Sequence, residues 1–143
     1  MWWYKHIWII AMQVIAFIPY IVGSHGFYRG KKNFMYWLAL GLFLDAVMAI
    51  APMIFRLPRM EASQGAPWGS LLFIIHIATA GIGMFGFMIM FIYLLIRGTD
   101  HYYGKLRRFQ YHILLKLWMF GVVIALLNFL IKVLWNVRIY DYL

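Results

Sequence analysis

Residues 70–96 read SLLFIIHIATAGIGMFGFMIMFIYLLI, a run without a single Asp, Glu, Lys or Arg, closed by Arg97 and Gly98. At about 1.5 Å of rise per residue, roughly 20 helical residues cross a hydrocarbon core of about 30 Å. Only a helix or a closed barrel satisfies its own backbone hydrogen bonds there. The run therefore predicts a membrane-spanning helix, long enough to tilt or to protrude into the headgroups. Working outward, three more apolar stretches of spanning length occur at Ile7 to Phe27, Phe34 to Phe55 and Ile113 to Val137. The connections between them hold the turn-forming and charged residues: Arg29-Gly30-Lys31-Lys32; then Pro58, Gly65 and Pro67; then Gly98 and Gly104. Short connections join antiparallel neighbours, so the predicted fold is all-α, an integral membrane four-helix up-down-up-down bundle forming one transmembrane domain over residues 1–143.

Composition agrees with that medium. Of 143 residues, 66% are hydrophobic, 20% aromatic and 12% charged, with a mean hydropathy of +0.81. Soluble chains are roughly 45–50% apolar and about 25% charged, so this one lacks the polar residues to cover a water-facing surface. With no cysteine, disulfides, thiolate-bound zinc, cysteine-ligated iron–sulfur clusters and covalently attached heme are excluded, and the redox compartment stays open. The first stretch is too long for a removable signal peptide and lacks a small-residue cleavage site, so it is expected to remain in the mature protein.

The formal charge of +9 falls at the predicted membrane edges, where it orients the chain and attracts anionic headgroups. Arg29, Lys31, Lys32, Arg97, Lys105, Arg107 and Arg108 lie on one side; Lys5, Arg56, Arg59 and Arg138 lie on the other. The excess of basic residues in the first and third loops predicts an orientation with both termini outside the cytoplasm. This placement disfavours a nucleic-acid partner, which a basic chain would otherwise suggest. Trp2, Trp3, Tyr4, Trp8, Tyr28, Tyr36, Trp37, Trp68, Tyr102, Tyr103, Trp135, Tyr140 and Tyr142 sit where interfacial aromatic belts belong.

Polar residues inside the spans require a partner, a cavity or a function. On the first helix His6, Gln13, Tyr20 and Ser24 are spaced to share a stripe roughly 40° wide, which should face protein. It suits either interhelical hydrogen bonds or a ligand or proton path. On the third, His76 is followed on its own face by Thr79, Ala80 and Gly83. Such a small-residue face admits a neighbouring helix, or a macrocycle such as heme b whose metal His76 ligates. Asp45 is the one carboxylate within a span. Its depth lies within roughly 5 Å of that of His76, so Gln13, Asp45 and His76 can form a polar layer. At the cytoplasmic edge His112 and Lys116 share a helix face at the depth of His25. His25 with His112, or His6 with His76, would make a bis-histidine heme site, and Asp45 or Lys116 would serve quinone protonation. Equally, interfacial histidines, His101 among them, meet headgroups, and Lys116 and Lys132 snorkel. Pro19 and Pro52 suggest kinks, Asn128 an interhelical hydrogen bond, and Met84, Met88 and Met90 are soft copper(I) donors or core filler.

There is no nucleotide-binding glycine loop, no HExxH and no carboxylate pair, which disfavours a self-contained hydrolase or transporter and leaves catalytic residues unassigned.

The run Gly26-Phe27-Tyr28-Arg29-Gly30-Lys31-Lys32-Asn33-Phe34-Met35, the third helix with its early His76 ending in Leu95-Ile96-Arg97-Gly98, and the basic Lys105-Leu106-Arg107-Arg108 before a Trp118-bearing last helix resemble the small four-helix CtaM-like membrane proteins. The resemblance covers most of the chain. It implies a part in assembly or maturation of heme–copper terminal oxidases. Where that family's pattern calls for a histidine at the start of the second helix, this chain has Asn33, Phe34 and Met35. A second histidine corresponds to either His101 or His112, so a heme or metal role carries over to His76 alone. The function expected is a non-catalytic accessory or assembly subunit of a larger membrane respiratory complex, partnered by oxidase subunits. The alternatives are a b-type cytochrome or quinone-reactive anchor, and a cofactor-free scaffold.

Overall fold

The computed structural model describes residues 7–54, 70–137 and 139, and these are all-helical, with no strand among them. Four long helices follow in chain order: α1 (Ile7–Arg29), α2 (Phe34–Ile54), α3 (Leu71–Arg97) and α4 (Gly104–Trp135). Of these, α3 and α4 are long and apolar enough to cross a membrane, and α2 contains a shorter apolar segment, Phe34–Met48. His6, Trp2, Trp3, Tyr4, Trp68, Tyr140 and Tyr142 lie outside the described residues, as do the basic residues expected on the outer face, Lys5, Arg56, Arg59 and Arg138.

Local chemistry sets the ends. At the α1 terminus Gly30 takes φ 73°, its N–H bonds the Phe27 carbonyl and the Lys31 N–H reaches back to Gly26, a Schellman closure that needs a left-handed residue. The Ser70 hydroxyl caps α3 by accepting from the Phe73 N–H. Asn136, at φ 56°, ends α4 at Trp135, two residues short of the expected Val137. Pro19 lies within α1 without terminating it.

The fourth helix departs most from expectation. It begins at Gly104 rather than Ile113, reducing the preceding connection to residues 98–103. Lys105, Arg107 and Arg108 disguise these first turns as loop, yet Tyr103, Leu106, Gln110 and Leu114 are spaced three or four apart and turn to the core. Gln110–Leu114 forms a π-turn, in which the Leu115 N–H bonds the Gln110 carbonyl five residues back.

Glycines set the helix spacing. A Cβ on Gly23 would lie 2.8 Å from the Leu38 nitrogen, and one on Gly41 3.0 Å from the Tyr20 ring, so α1 and α2 approach through absent side chains. In α3 and α4 the same happens at Gly83 against Trp118 and at Gly121 against Ala80. In each pair, partners run in opposite chain order, so both hairpins are antiparallel. The two hairpins meet over a core of Ala16, Tyr20, Leu38, Phe87, Trp118 and Val122. Small residues at such contacts let the helices approach closely and gain dispersion energy.

Candidate functional site

A buried polar contact joins the two hairpins. On α4 the Trp118 indole Nε1–H donates to Oδ2 of Asp45 on α2 at 2.9 Å, with both residues buried. An indole N–H only donates and an ionised carboxylate only accepts, so the two groups are complementary. Tyr20, fully buried, lays its ring 4.2 Å from that of Trp118 and 5.1 Å from that of Phe87, and Phe17 meets Trp118 edge-on at 5.2 Å. The Tyr20 hydroxyl neighbours the Asp45 carboxyl without meeting hydrogen-bond geometry, and it is buried without a hydrogen bond. The site is thus a carboxyl held by one indole, with a phenol in reserve.

His76 is half-buried and its Nδ1 lies 2.7 Å from the Gly121 carbonyl oxygen. A carbonyl only accepts, so Nδ1 carries a proton and donates it. The face of α3 bearing Ala80 and Gly83 is filled by α4, through Gly121 and Trp118. Of the two occupants that a small-residue face admits, the neighbouring helix is the one present. The polar layer expected from depth is divided. Asp45 is bonded at Trp118, whose backbone packs on Gly83, seven residues from His76 and therefore about 10 Å along α3. Gln13 is half-buried on α1, and no hydrogen bond among the described residues joins Gln13, Asp45 and His76. Depth counted along separate helices carries no information on rotation, and rotation sent Asp45 toward α4.

A second polar contact, unforeseen in the sequence, lies nearer the 30–33 turn. The Ser24 hydroxyl donates to the Gln110 Oε1, and Gln110 Nε2 donates to the Ser24 carbonyl at 2.9 Å and to the Arg107 carbonyl at 3.1 Å. Ser24 and Gln110 are both fully buried. The stripe on α1 thus faces protein at Tyr20 and Ser24. Gln110 escaped notice because the basic residues before it placed it in a presumed loop; its spacing from Leu106 and Leu114 was the available signal.

Around the π-turn, aromatic rings cluster. Tyr28 stacks on Tyr111 at 4.7 Å, His25 lies 5.8 Å from Tyr111, and His112 meets Tyr28 edge-on at 5.6 Å and Tyr111 at 5.3 Å. His25 on α1 and His112 on α4 therefore flank one tyrosine pair. Lys116 is exposed one turn further along α4, and His101 is exposed beside Tyr103. Among the methionines Met90 is buried and Met88 exposed, so the trio does not share a face. Among the described residues no group of three or more histidines or carboxylates converges.

Comparison with protein-family models, with curated proteins and with solved structures finds no match to this chain.

Proposed function

We propose that this chain is a four-span integral membrane protein of a bacterial or archaeal cytoplasmic membrane, with both termini outside the cytoplasm. In this reading it acts as a non-catalytic accessory or assembly subunit of a respiratory electron-transfer complex of the terminal-oxidase type. One observation carries the membrane placement and the scaffold character together: apolar side chains point out while polar ones are turned to one another inside. Ile18 is 58% exposed, Phe43 63%, Ile89 65% and Leu134 66%, one on each helix, whereas Asp45, Ser24 and Gln110 are buried and paired. In water such a surface would be an association hazard; against lipid tails it costs nothing. The 23 residues of α1 and 21 of α2 amount to about 34 and 31 Å of helix, which is enough to span. The CtaM-like resemblance supports the respiratory assignment.

The test is removal of the gene in its host. Heme–copper oxidase content and oxygen uptake should fall in isolated membranes while dehydrogenase activity holds, and the full chain should restore both. Unchanged oxidase content overturns the respiratory role, and release of the protein by alkaline carbonate overturns the membrane role.

The second reading, a b-type cytochrome or quinone-reactive anchor, is favoured by one observation. His76 donates Nδ1–H to a backbone carbonyl, as metal-ligating imidazoles commonly do, whereas His25 and His112 are set apart by the stacked rings of Tyr28 and Tyr111. His76 would be the residue to hold heme b, which supplies one-electron chemistry. A reduced-minus-oxidised spectrum with metal analysis tests it. A stoichiometric heme signature lost in His76→Ala names the ligand. A colourless, metal-free protein counts against this reading for the isolated chain.

A further inference from the structure

At the end of the bundle that carries the 30–33 and 98–103 turns, two concavities of opposite character meet. One is an apolar groove of about 730 Å³ between α3 and the first turns of α4, walled by Ile89, Met90, Tyr93, Phe109 and Leu114. The other is a pocket of about 440 Å³ lined by Tyr28, Arg29, Arg107 and Arg108. Tyr102 and Gly104 line both, and a Cβ on Gly104 would lie 2.7 Å from the Tyr102 ring, so this ring is the shared wall. Each falls within the size of small-molecule sites, roughly 300–1,000 Å³.

Three guanidinium groups line the second pocket, and no carboxylate does. Among the described residues none of the three makes an ion pair, and Arg107 Nε is buried without any hydrogen-bond partner. Arg107 is nonetheless held in place. Its guanidinium lies over the Phe27 ring at 5.4 Å and the Tyr102 ring at 5.1 Å, and Gln110 grips its backbone carbonyl. A Cβ on Gly30 would come within 3.0 Å of the same guanidinium, so the turn also closes over it. A positioned arginine with one donor left over, beside the exposed Arg29 and Arg108 and with no counter-ion among the described residues, calls for an anion with several acceptor oxygens, and guanidinium forks fit phosphate in particular. The adjoining groove calls for a hydrocarbon chain on the same molecule.

We propose that this composite cleft binds an anionic phospholipid from the surrounding bilayer, its phosphate among Arg29, Arg107 and Arg108 and an acyl chain along Ile89 and Tyr93. Three cations without a carboxylate select net negative charge over a zwitterionic headgroup or an uncharged quinone ring. The inference rests on the membrane placement, which carbonate extraction of the same preparation reads separately.

The test uses the full chain, extracted in mild detergent and supplied with phosphatidylglycerol or phosphatidylcholine, with retained lipid counted by native mass spectrometry. Phosphatidylglycerol should be held as one molecule per chain. With attraction near ~1 kcal/mol per basic residue, Arg107→Gln with Arg108→Gln should weaken retention about thirtyfold. Ile89→Trp, at an exposed position that leaves every arginine in place, should release the lipid by filling the groove, and an unchanged far-ultraviolet spectrum establishes that this variant is folded. Equal retention of the two lipids overturns the proposal, as does retention unaffected by Ile89→Trp. Displacement by inorganic phosphate alone, or by ubiquinone in preference to phosphatidylglycerol, also overturns it.

Discussion

Replacing Gly83 with alanine sets two effects of opposite sign against each other. In a helix interior alanine is favoured over glycine by about 0.8–1.0 kcal/mol, so propensity alone predicts stabilisation. The packing predicts the reverse. A Cβ at position 83 would lie 2.5 Å from the Trp118 Cβ, 2.7 Å from its Cα and 2.8 Å from its backbone nitrogen. Carbon atoms rest at about 3.5–4.0 Å, so α3 and α4 must separate by about 1 Å. Backbone cannot rotate aside as a side-chain tip can, which places the cost in the upper part of the ~1–3 kcal/mol range for overpacking. The expected net effect of Gly83→Ala is a loss of about 1–2 kcal/mol. Gly81, two residues earlier, has no atom within 4 Å of its would-be Cβ, so Gly81→Ala should stabilise by about 0.5–1 kcal/mol. Reversible unfolding of both variants in mixed micelles, followed by helical circular dichroism against detergent mole fraction, measures the gap of about 2 kcal/mol. A Gly83→Ala protein as stable as Gly81→Ala would refute the close approach of α3 and α4.

The Asp45–Trp118 bond should appear in a double-mutant cycle of Asp45→Ala and Trp118→Phe as a coupling of about 0.6–1.7 kcal/mol, the range for polar contacts in membranes; additivity within ~0.3 kcal/mol would count against the bond. Gln110→Ala removes three side-chain hydrogen bonds and strands the buried Ser24 hydroxyl, so it should cost about 1–3 kcal/mol, more than Ser24→Ala, and equal costs in the same titration would contradict the three-bond role of Gln110. Gly30→Ala forces a side chain into φ 73° and should cost about 1–2 kcal/mol, a loss that Gly30→Asn should partly recover. Because the chain has no cysteine, single cysteines at Lys31 and Asp100 can be labelled cleanly. A membrane-impermeant maleimide should leave both untouched in intact cells and label both after permeabilisation, and labelling of one alone would exclude the shared-end arrangement of the two turns.

Much of the helical layout was legible in advance, because helix formation by apolar runs and termination by glycine are local. The boundary of α2 at Phe34, the Gly30 turn and the stop at Gly98 were all readable that way. The first turns of α4 were not, since Lys105, Arg107 and Arg108 lower the local hydropathy although Leu106 and Gln110 pack inward. Of the candidate site residues, Tyr20, Ser24 and Asp45 declared themselves as polar groups in apolar surroundings, a cost that demands partners. The partners themselves were hidden: Gln110 stands 86 positions from Ser24, and Trp118 stands 73 from Asp45.

The sequence by itself determined the helical character of this protein and the two helices apolar enough to cross a membrane, because helix formation and hydropathy act residue by residue along the chain. It determined too that its few interior polar groups had to be met. Only the tertiary structure decided which groups meet. Beyond the short polar stripe at Tyr20 and Ser24 on α1, these helices are apolar nearly all round, so hydropathy alone leaves their rotation open. Rotation is settled instead where glycine lets backbone touch backbone, at Gly23, Gly83 and Gly121. Those contacts deliver Asp45 to Trp118, set His76 on the Gly121 carbonyl, and gather Arg29, Arg107 and Arg108 beside one apolar groove.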